Sequence, residues 1–442
     1  MSTLDLLADL IGRAKAAGAD AADAAMVGGT SVGVQRRLGK TENLIRSETR
    51  DLGLRVFIGT RSASVSSTAV DPAGFDALVE RALAMARIVP EDPFNGLAEA
   101  EAPPEEIDLD LVDSAEPDID ALLRRATIAE EAALAVAGVT NTEGSDAGYG
   151  RTELVLVTST GFAASQARTA HSVSATALAG EGTGMERDYD FSSAVHLSDL
   201  EAAEKVGRVA GEKAIARLNP RRPKTARVPV VFDPRVSNSL LGHLSGAING
   251  GSIARGTSFL KERMGAQIFA RGINIHDDPR RPRGFRSRRF DAEGVPTRAR
   301  VVIEDGLLTT WFLDSRTGRQ LKLPTTGHAV RGVGGPPSPA PSNFYMAPGQ
   351  HSPAELMADI KEGLYVTELM GTSVNLITGD YSRGAAGFMI RDGALAEPVS
   401  ELTIAGSLQD MFLNLSRAND LQFRRGTDAP TIRVEGLTMA GA

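Results

Sequence analysis

Apolar residues near the start of the chain, in "TLDLLADLIGRAKAAGAD", fall at Leu4, Leu6, Leu7, Leu10 and Ile11, a spacing that predicts an amphipathic helix. The pattern then changes period. "SVGVQRR", "LGLRVFIG" and "RSASVSST" read as short strands separated by polar or glycine-containing turns. Helical spacing returns in "DPAGFDALVERALAMARIV" (71–89), opened by Asp-Pro, in "DIDALLRRATIAEEAALAV" (118–136) and in "DLEAAEKVGRVAGEKAIARL" (199–218). Between the last two, "TELVLVTST" and "GFAASQARTAHSVSATALAG" alternate like adjacent strands. Residues 90–118 carry several prolines and many acids with little periodicity, and read as a long surface connection.

"NPRRPKTARVP" (219–229), proline-rich and basic, is the best boundary in the chain. It divides an N-terminal α+β domain, 1–220, from a β-rich C-terminal domain, 221–442. The fold class expected is therefore α+β. The second half opens on a helix in "DPRVSNSLLGHLSGAING", where Asp233 can cap, Pro234 suits the first helical position, and Val236, Leu240, Leu241, Leu244 and Ile248 recur at helical period. Asp305-Gly306 and Asp392-Gly393 each sit between two apolar runs and predict hairpins, because both central residues of a type I′ turn need positive φ.

Composition narrows the chemistry. With no cysteine in 442 residues, disulfides, iron–sulfur clusters, cysteine nucleophiles and thiolate zinc sites are excluded. The net charge of −8 argues against general nucleic-acid binding. No apolar run approaches the roughly 20 residues that cross a bilayer, and the N-terminal stretch lacks the pattern of a signal peptide. A cytoplasmic location is expected.

Candidate sites are few. His243 lies in an apolar helical pattern with no second histidine, aspartate or glutamate at helical spacing, so it reads as a core histidine or as part of a metal site. His276 stands in "NIHDDP", where Asp277 or Asp278 could assist a metal, and His328 lies among glycines. The run "PRRPRGFRSRRF" gathers Arg280, Arg281, Arg283, Arg286, Arg288 and Arg289. It reads as a solvated loop with paired arginines, or as a site for phosphate, a peptide carboxylate or an acidic partner. Arg286, Arg288 and Arg289 are the interface or cleft candidates. The glycine-rich "TGDYSRGAAGF" either makes tight bends or leaves a strand edge for an extended peptide, with Gly379, Asp380, Ser382, Arg383 and Gly384 as substrate-binding candidates.

Taken in order, "GHLSGAINGGSIARGTSFL", "FLDSRTGRQL", "SNFYMAPG", "TGDYSRGAAGFMIRDGALAEPVSELTIAGSL" and "NDL" resemble the TldD/PmbA (TldD/TldE) family of modulators of DNA gyrase and peptidases. The TldD type of that family resembles a zinc protease, with His-Glu and a second His on a helix and a cysteine near the C-terminus. Carried over, His243 matches the second histidine, while Asn238 falls at the first and Ser239 at the glutamate. The segment 421–431 contains no cysteine. The resemblance implies the PmbA/TldE type: a chain without catalytic or metal-binding residues of its own, in which Asn238, Ser239 and His243 are vestigial. No cofactor is expected in this chain. Zinc is expected in a TldD-type partner subunit, and small or unfolded peptides are the implied substrates. The rival expectations are an autonomous metallopeptidase built from His243, His276 and Asp277 or Asp278, and a homodimeric peptide-binding regulatory protein.

Overall fold

The computed structural model describes residues 2–99, 105–371 and 373–441. The chain begins in helix α1 (Thr3–Ala16), capped by Ser2 and Asp5 in a reciprocal box. An antiparallel sheet of six strands follows, β1 (Ala21–Arg37), β2 (Lys40–Ile58), β3 (Arg61–Ser67), β4 (Val139–Thr158), β5 (Ala163–Ala179) and β6 (Glu186–Ala194), in the order β3-β2-β1-β4-β5-β6. Helices α2 (Phe75–Ile88), α3 (Ile119–Leu134) and α4 (Ala203–Ala216) pack with α1 against it. Alternate residues Val173, Ala175, Ala177 and Ala179 of β5 face Val206, Ala210 and Ala214 of α4. Their small side chains bring helix and sheet close, and an added methyl on Gly207 would stand 1.9 Å from the Ala129 carbonyl of α3.

The second half supplies β7 (Ala226–Phe232), α5 (Pro234–Ala247), β8 (Ile275–Asp277), β9 (Arg300–Glu304), β10 (Leu307–Leu308), β11 (Ala329–Val330), β12 (Ser338–Pro339), β13 (Phe344–Met346), β14 (Glu362–Met370), β15 (Asp380–Arg391), β16 (Ala394–Ser407), β17 (Leu415–Arg417), β18 (Thr427–Asp428) and β19 (Ile432–Ala440). The larger sheet runs β16-β15-β14-β7-β19-β17, and β19 also pairs back onto β16 through Thr403–Ala405 and Thr438–Ala440. Five strands therefore close on one another. The β7–β14 pair is parallel and the other neighbours are antiparallel. β10-β9-β8-β13-β18 form a smaller sheet beside them.

Both Asp-Gly hairpins form. Asp305 and Gly306 have φ of 47° and 81°, and Asp392 and Gly393 have 47° and 82°. α5 is capped as its sequence predicts, with the Asp233 carboxylate accepting from the Arg235 N–H. Its buried Leu240, Leu241 and Leu244 join Val230, Phe232, Leu364 and Val366 in the main core. Each such side chain contributes about 1.5–3 kcal/mol on burial.

The connection 90–118 is more than a surface crossing; its residues 100–104 lie outside the described residues. Leu109 and Leu111 are buried, and their carbonyls accept from the N–H groups of Arg283 and Thr169. The segment thus ties the first sheet to the second half. A buried ion network does the same. Asp23 of β1 is held by Arg55 of β2 and, at 2.5 Å, by Arg331 from the segment after β11.

Candidate functional site

The candidate site lies where α5 leaves β7. A cavity of about 340 Å³ opens between β5, β6 and the end of α4 on one side and α5, β14 and β15 on the other. Asn238 and Ser239 line it, together with Arg235, Arg217, Glu368 and Arg383.

Most of this wall is already paired. The guanidinium of Arg235 meets both carboxylate oxygens of the buried Asp188, at 2.6 and 3.1 Å, the two-pronged geometry that makes such pairs strong. Arg217 contacts Glu368 at 2.6 Å. Arg383 differs: its Nε donates to the Met370 carbonyl at 3.2 Å, and it pairs with no carboxylate among the described residues. Its two terminal nitrogens are thus available to an acceptor in the cavity.

Asn238 donates to the Thr427 carbonyl at 3.4 Å, and the Ser239 hydroxyl donates back to the Val236 carbonyl at 2.6 Å. The segment 421–431 is therefore beside α5, with Ser237 reaching the Ala429 carbonyl as well. His243 is on the same helix but does not line the cavity. Its Nε2 is buried without a partner, and burial, assisted by the positive charge of Arg383, pushes its pKa down to about 4.

A zinc ion needs three protein donors on one centre plus a carboxylate to activate water. Here an amide, a hydroxyl and one half-buried imidazole occupy the helix, and 421–431 supplies no thiolate. Among the described residues no three His, Cys, Asp or Glu converge on a metal position. This donor set does not fit zinc. The rival set fares no better. Asp277 is fully buried and accepts from the Ser342 N–H and hydroxyl and bonds to His328. His276 stacks on Tyr345, and Asp278 caps the Arg280 N–H.

The expected free edge at Gly379–Gly387 is absent. β15 lies between β14 and β16, and Ser382 is taken by the Ser373 carbonyl. A methyl at Gly387 would stand 1.9 Å from the Tyr365 carbonyl. Asp380 is exposed and accepts from Thr378, Gly379 has φ of +86°, and Gly384 packs on Met370. Of the five residues only Arg383 faces the cavity.

The arginine segment is a solvated loop only in part, with Arg283 and Arg286 exposed. It packs against the chain's own first half. Arg283 pairs with Asp110 and Asp199, Arg280 with Glu105, and Arg289 reaches the Ser165 carbonyl. Arg281 lies over the Phe423 ring, while Arg286 and Arg288 border a separate cavity. Arg217, Arg235 and Asp188 carried no local signal, because three distant segments bring them together. The same holds for a second cluster, in which His171 and His196 stand within 3.1 Å of Asp113 and Asp110.

Comparison with known proteins bears on this geometry. Family models described as PmbA/TldA metallopeptidase domain 1, central domain and C-terminal domain match residues 22–86, 112–218 and 225–441. The metalloprotease PmbA of Escherichia coli O157:H7 is 38% identical over 429 residues, covering 96% of this chain and 92% of that protein. A PmbA homolog of Haemophilus influenzae is 33% identical over 428 residues, with 95% and 92% covered. In structure, a candidate modulator of DNA gyrase from Bacteroides thetaiotaomicron superposes with a TM-score of 0.91 at 24% identity, covering 99% of this chain and 98% of that one. TldE of Thermococcus kodakarensis gives 0.88 at 22% identity, covering 99% and 100%. At those identities the two structures speak for the fold. No helix of the described residues is long and apolar enough to cross a membrane.

Proposed function

We propose, because the chain belongs to the PmbA/TldA metallopeptidase family, that it serves as the metal-free subunit of a two-chain peptidase acting on small or unfolded peptides. The observation that carries this reading is the donor set on α5. Asn238 and Ser239 are engaged by nearby carbonyls, and the half-buried His243 stands near a cation, with no carboxylate among the described residues to orient it. A neighbouring acid or carbonyl normally fixes a metal-binding imidazole, and among the described residues neither meets the buried Nε2.

In this reading a TldD-type subunit holds the zinc and this chain holds substrate. Arg383 has donors to spare at the cavity, whereas Arg235 and Arg217 are occupied. Arg383 would bind a peptide carboxylate or main-chain carbonyl, and Asn238 and Ser239 would line the path beside it. The reading includes a cytoplasmic location, which fits a chain without cysteine.

The test is a cleavage assay on an unstructured peptide. The purified chain alone should give no chelator-sensitive cleavage, and adding a TldD-type subunit should produce it. Metal-dependent cleavage by this chain alone would overturn the reading.

A further inference from the structure

Between the first sheet and the arginine segment lies a cavity of about 670 Å³ that shares no lining residue with the one at α5. Four guanidinium groups border it, those of Arg168, Arg286, Arg288 and Arg331, and the first three are without an ion-pair partner among the described residues. Arg168 of β5 gives its terminal nitrogens to the carbonyls of Phe285 and Ser287. Arg286 reaches the Thr427 hydroxyl at 3.0 Å, and Arg288 reaches the Ala340 carbonyl at 3.3 Å. The Nε of Arg288 is buried with no partner. Among the described residues none of the three pairs with a carboxylate.

Three like charges with no direct ion pair in a partly enclosed site repel one another, and only Arg288 gains some relief, from the charges of Asp291 and Asp277. Arg168 registers this directly: burial, then the charges of Arg288 and Arg286, bring its pKa down to about 10. The other charged residues at the cavity relieve it only in part. Arg331 is already bound to Asp23. Asp291 spends its oxygens on the N–H groups of Glu293, Val295 and Ala329, and burial together with the Glu293 charge favours its protonated form. Leu154, Phe290, Val330 and Pro341 supply an apolar lining.

We propose that this cavity is a second binding site, which takes the carboxylates of a short acidic peptide while its apolar lining covers the neighbouring side chain. Arginine forks match carboxylate geometry, and an apolar lining gives nothing to a bare inorganic anion. The site is independent of whether the chain works beside a zinc subunit.

Calorimetric titration of the full chain with acetyl-Ala-Leu-Glu-Glu tests this, set against its Gln-Gln amide analogue and inorganic phosphate. The acidic peptide should bind at one site and raise the urea midpoint, and the neutral analogue should bind at least about tenfold more weakly. Arg286→Gln, at an exposed position, should weaken the acidic peptide by about tenfold with the fold unchanged. Arg288→Met should do the same, with circular dichroism as the folding control. Arg208→Gln, at an exposed position on α4 that borders neither cavity, should leave the titration unaltered. Absence of saturable binding, equal binding of the neutral analogue, or equal affinity in Arg286→Gln would overturn the proposal. So would phosphate displacing the peptide at equal concentration, or loss of binding in Arg383→Ala, which would put the peptide in the cavity at α5.

Discussion

The His243 ring meets the Tyr381 ring edge to face, with centroids 5.8 Å apart and planes at 77°. The imidazole Nε2 and the phenol oxygen are both buried without a partner. Two polar atoms left unmatched at one contact disfavour any charge on the histidine. Because its pKa falls from 6.5 to about 4 on folding, the unfolded chain takes up the proton first as pH drops. Stability should be unaffected by this group above about pH 6.5 and should decline towards about pH 4, at no more than about 1.4 kcal/mol per unit. His243→Phe should remove that slope, read from urea midpoints at about pH 7 and about pH 5. An unchanged slope would mean that His243 titrates normally.

Rebuilding the metal helix should not rebuild a metal site. Asn238→His with Ser239→Glu would place two imidazoles and a carboxylate on α5, yet the facing segment offers only Asp428, whose oxygens already accept from the Arg424, Arg425 and Gly426 N–H groups. Elemental analysis after dialysis should find well below one zinc per chain, and a peptide assay should show no chelator-sensitive activity. One retained zinc per double-mutant chain would refute this.

Asp23 is the only carboxylate within ion-pair distance of Arg55 and Arg331 among the described residues, and all three side chains are buried. Asp23→Asn would leave two cations facing each other, at a cost of about 3–5 kcal/mol in stability by urea denaturation. The two arginines lower the carboxyl pKa on folding. That stabilisation is present above the unfolded value of 3.8 and lost as pH falls through the lower folded value. A loss below about 1 kcal/mol would show that water already screens the triad.

Two turn glycines separate backbone strain from crowding. Gly39 has φ of +76° with nothing within 4 Å of an added methyl, whereas at Gly393, with φ of +82°, that methyl would stand 2.8 Å from the Ala358 carbonyl. Gly39→Ala should therefore cost about 1 kcal/mol and Gly393→Ala clearly more. Equal costs would mean that the 358 segment moves aside freely.

Local rules were legible in the chain. The Asp233-Pro234 cap, the two Asp-Gly turns and the amphipathic helices are each set by residues a few positions apart, and each forms where its spacing says. The strands were less legible. β1 starts at Ala21, in an alanine-rich stretch with little β propensity, because pairing to β2 and β4 on both sides overrides propensity. Strand neighbours such as Val230 and Leu364 leave no periodic trace, so Gly379–Gly387 looked like an edge when it is an interior strand. At the site, Asn238, Ser239 and His243 could be picked out by resemblance. The ionic wall opposite them could not, since Asp188 and Arg235 meet across 47 positions. The arginine segment was half legible: pairing of its charges with acids was one of its readings, but not that those acids, Asp110, Asp199 and Glu105, come from the first half of the chain.

The ring of five strands sets a timetable for biosynthesis. β7 lies between β14 and β19, so the strand that opens the second half must wait on both sides until residues 362–370 and 432–440 have been made. The first sheet has all six of its strands by residue 194 and can begin to form while translation continues. A ribosome that stalls between the two would hold a finished sheet with the apolar strand "VPVVF" and no neighbours for it, a natural substrate for holding chaperones.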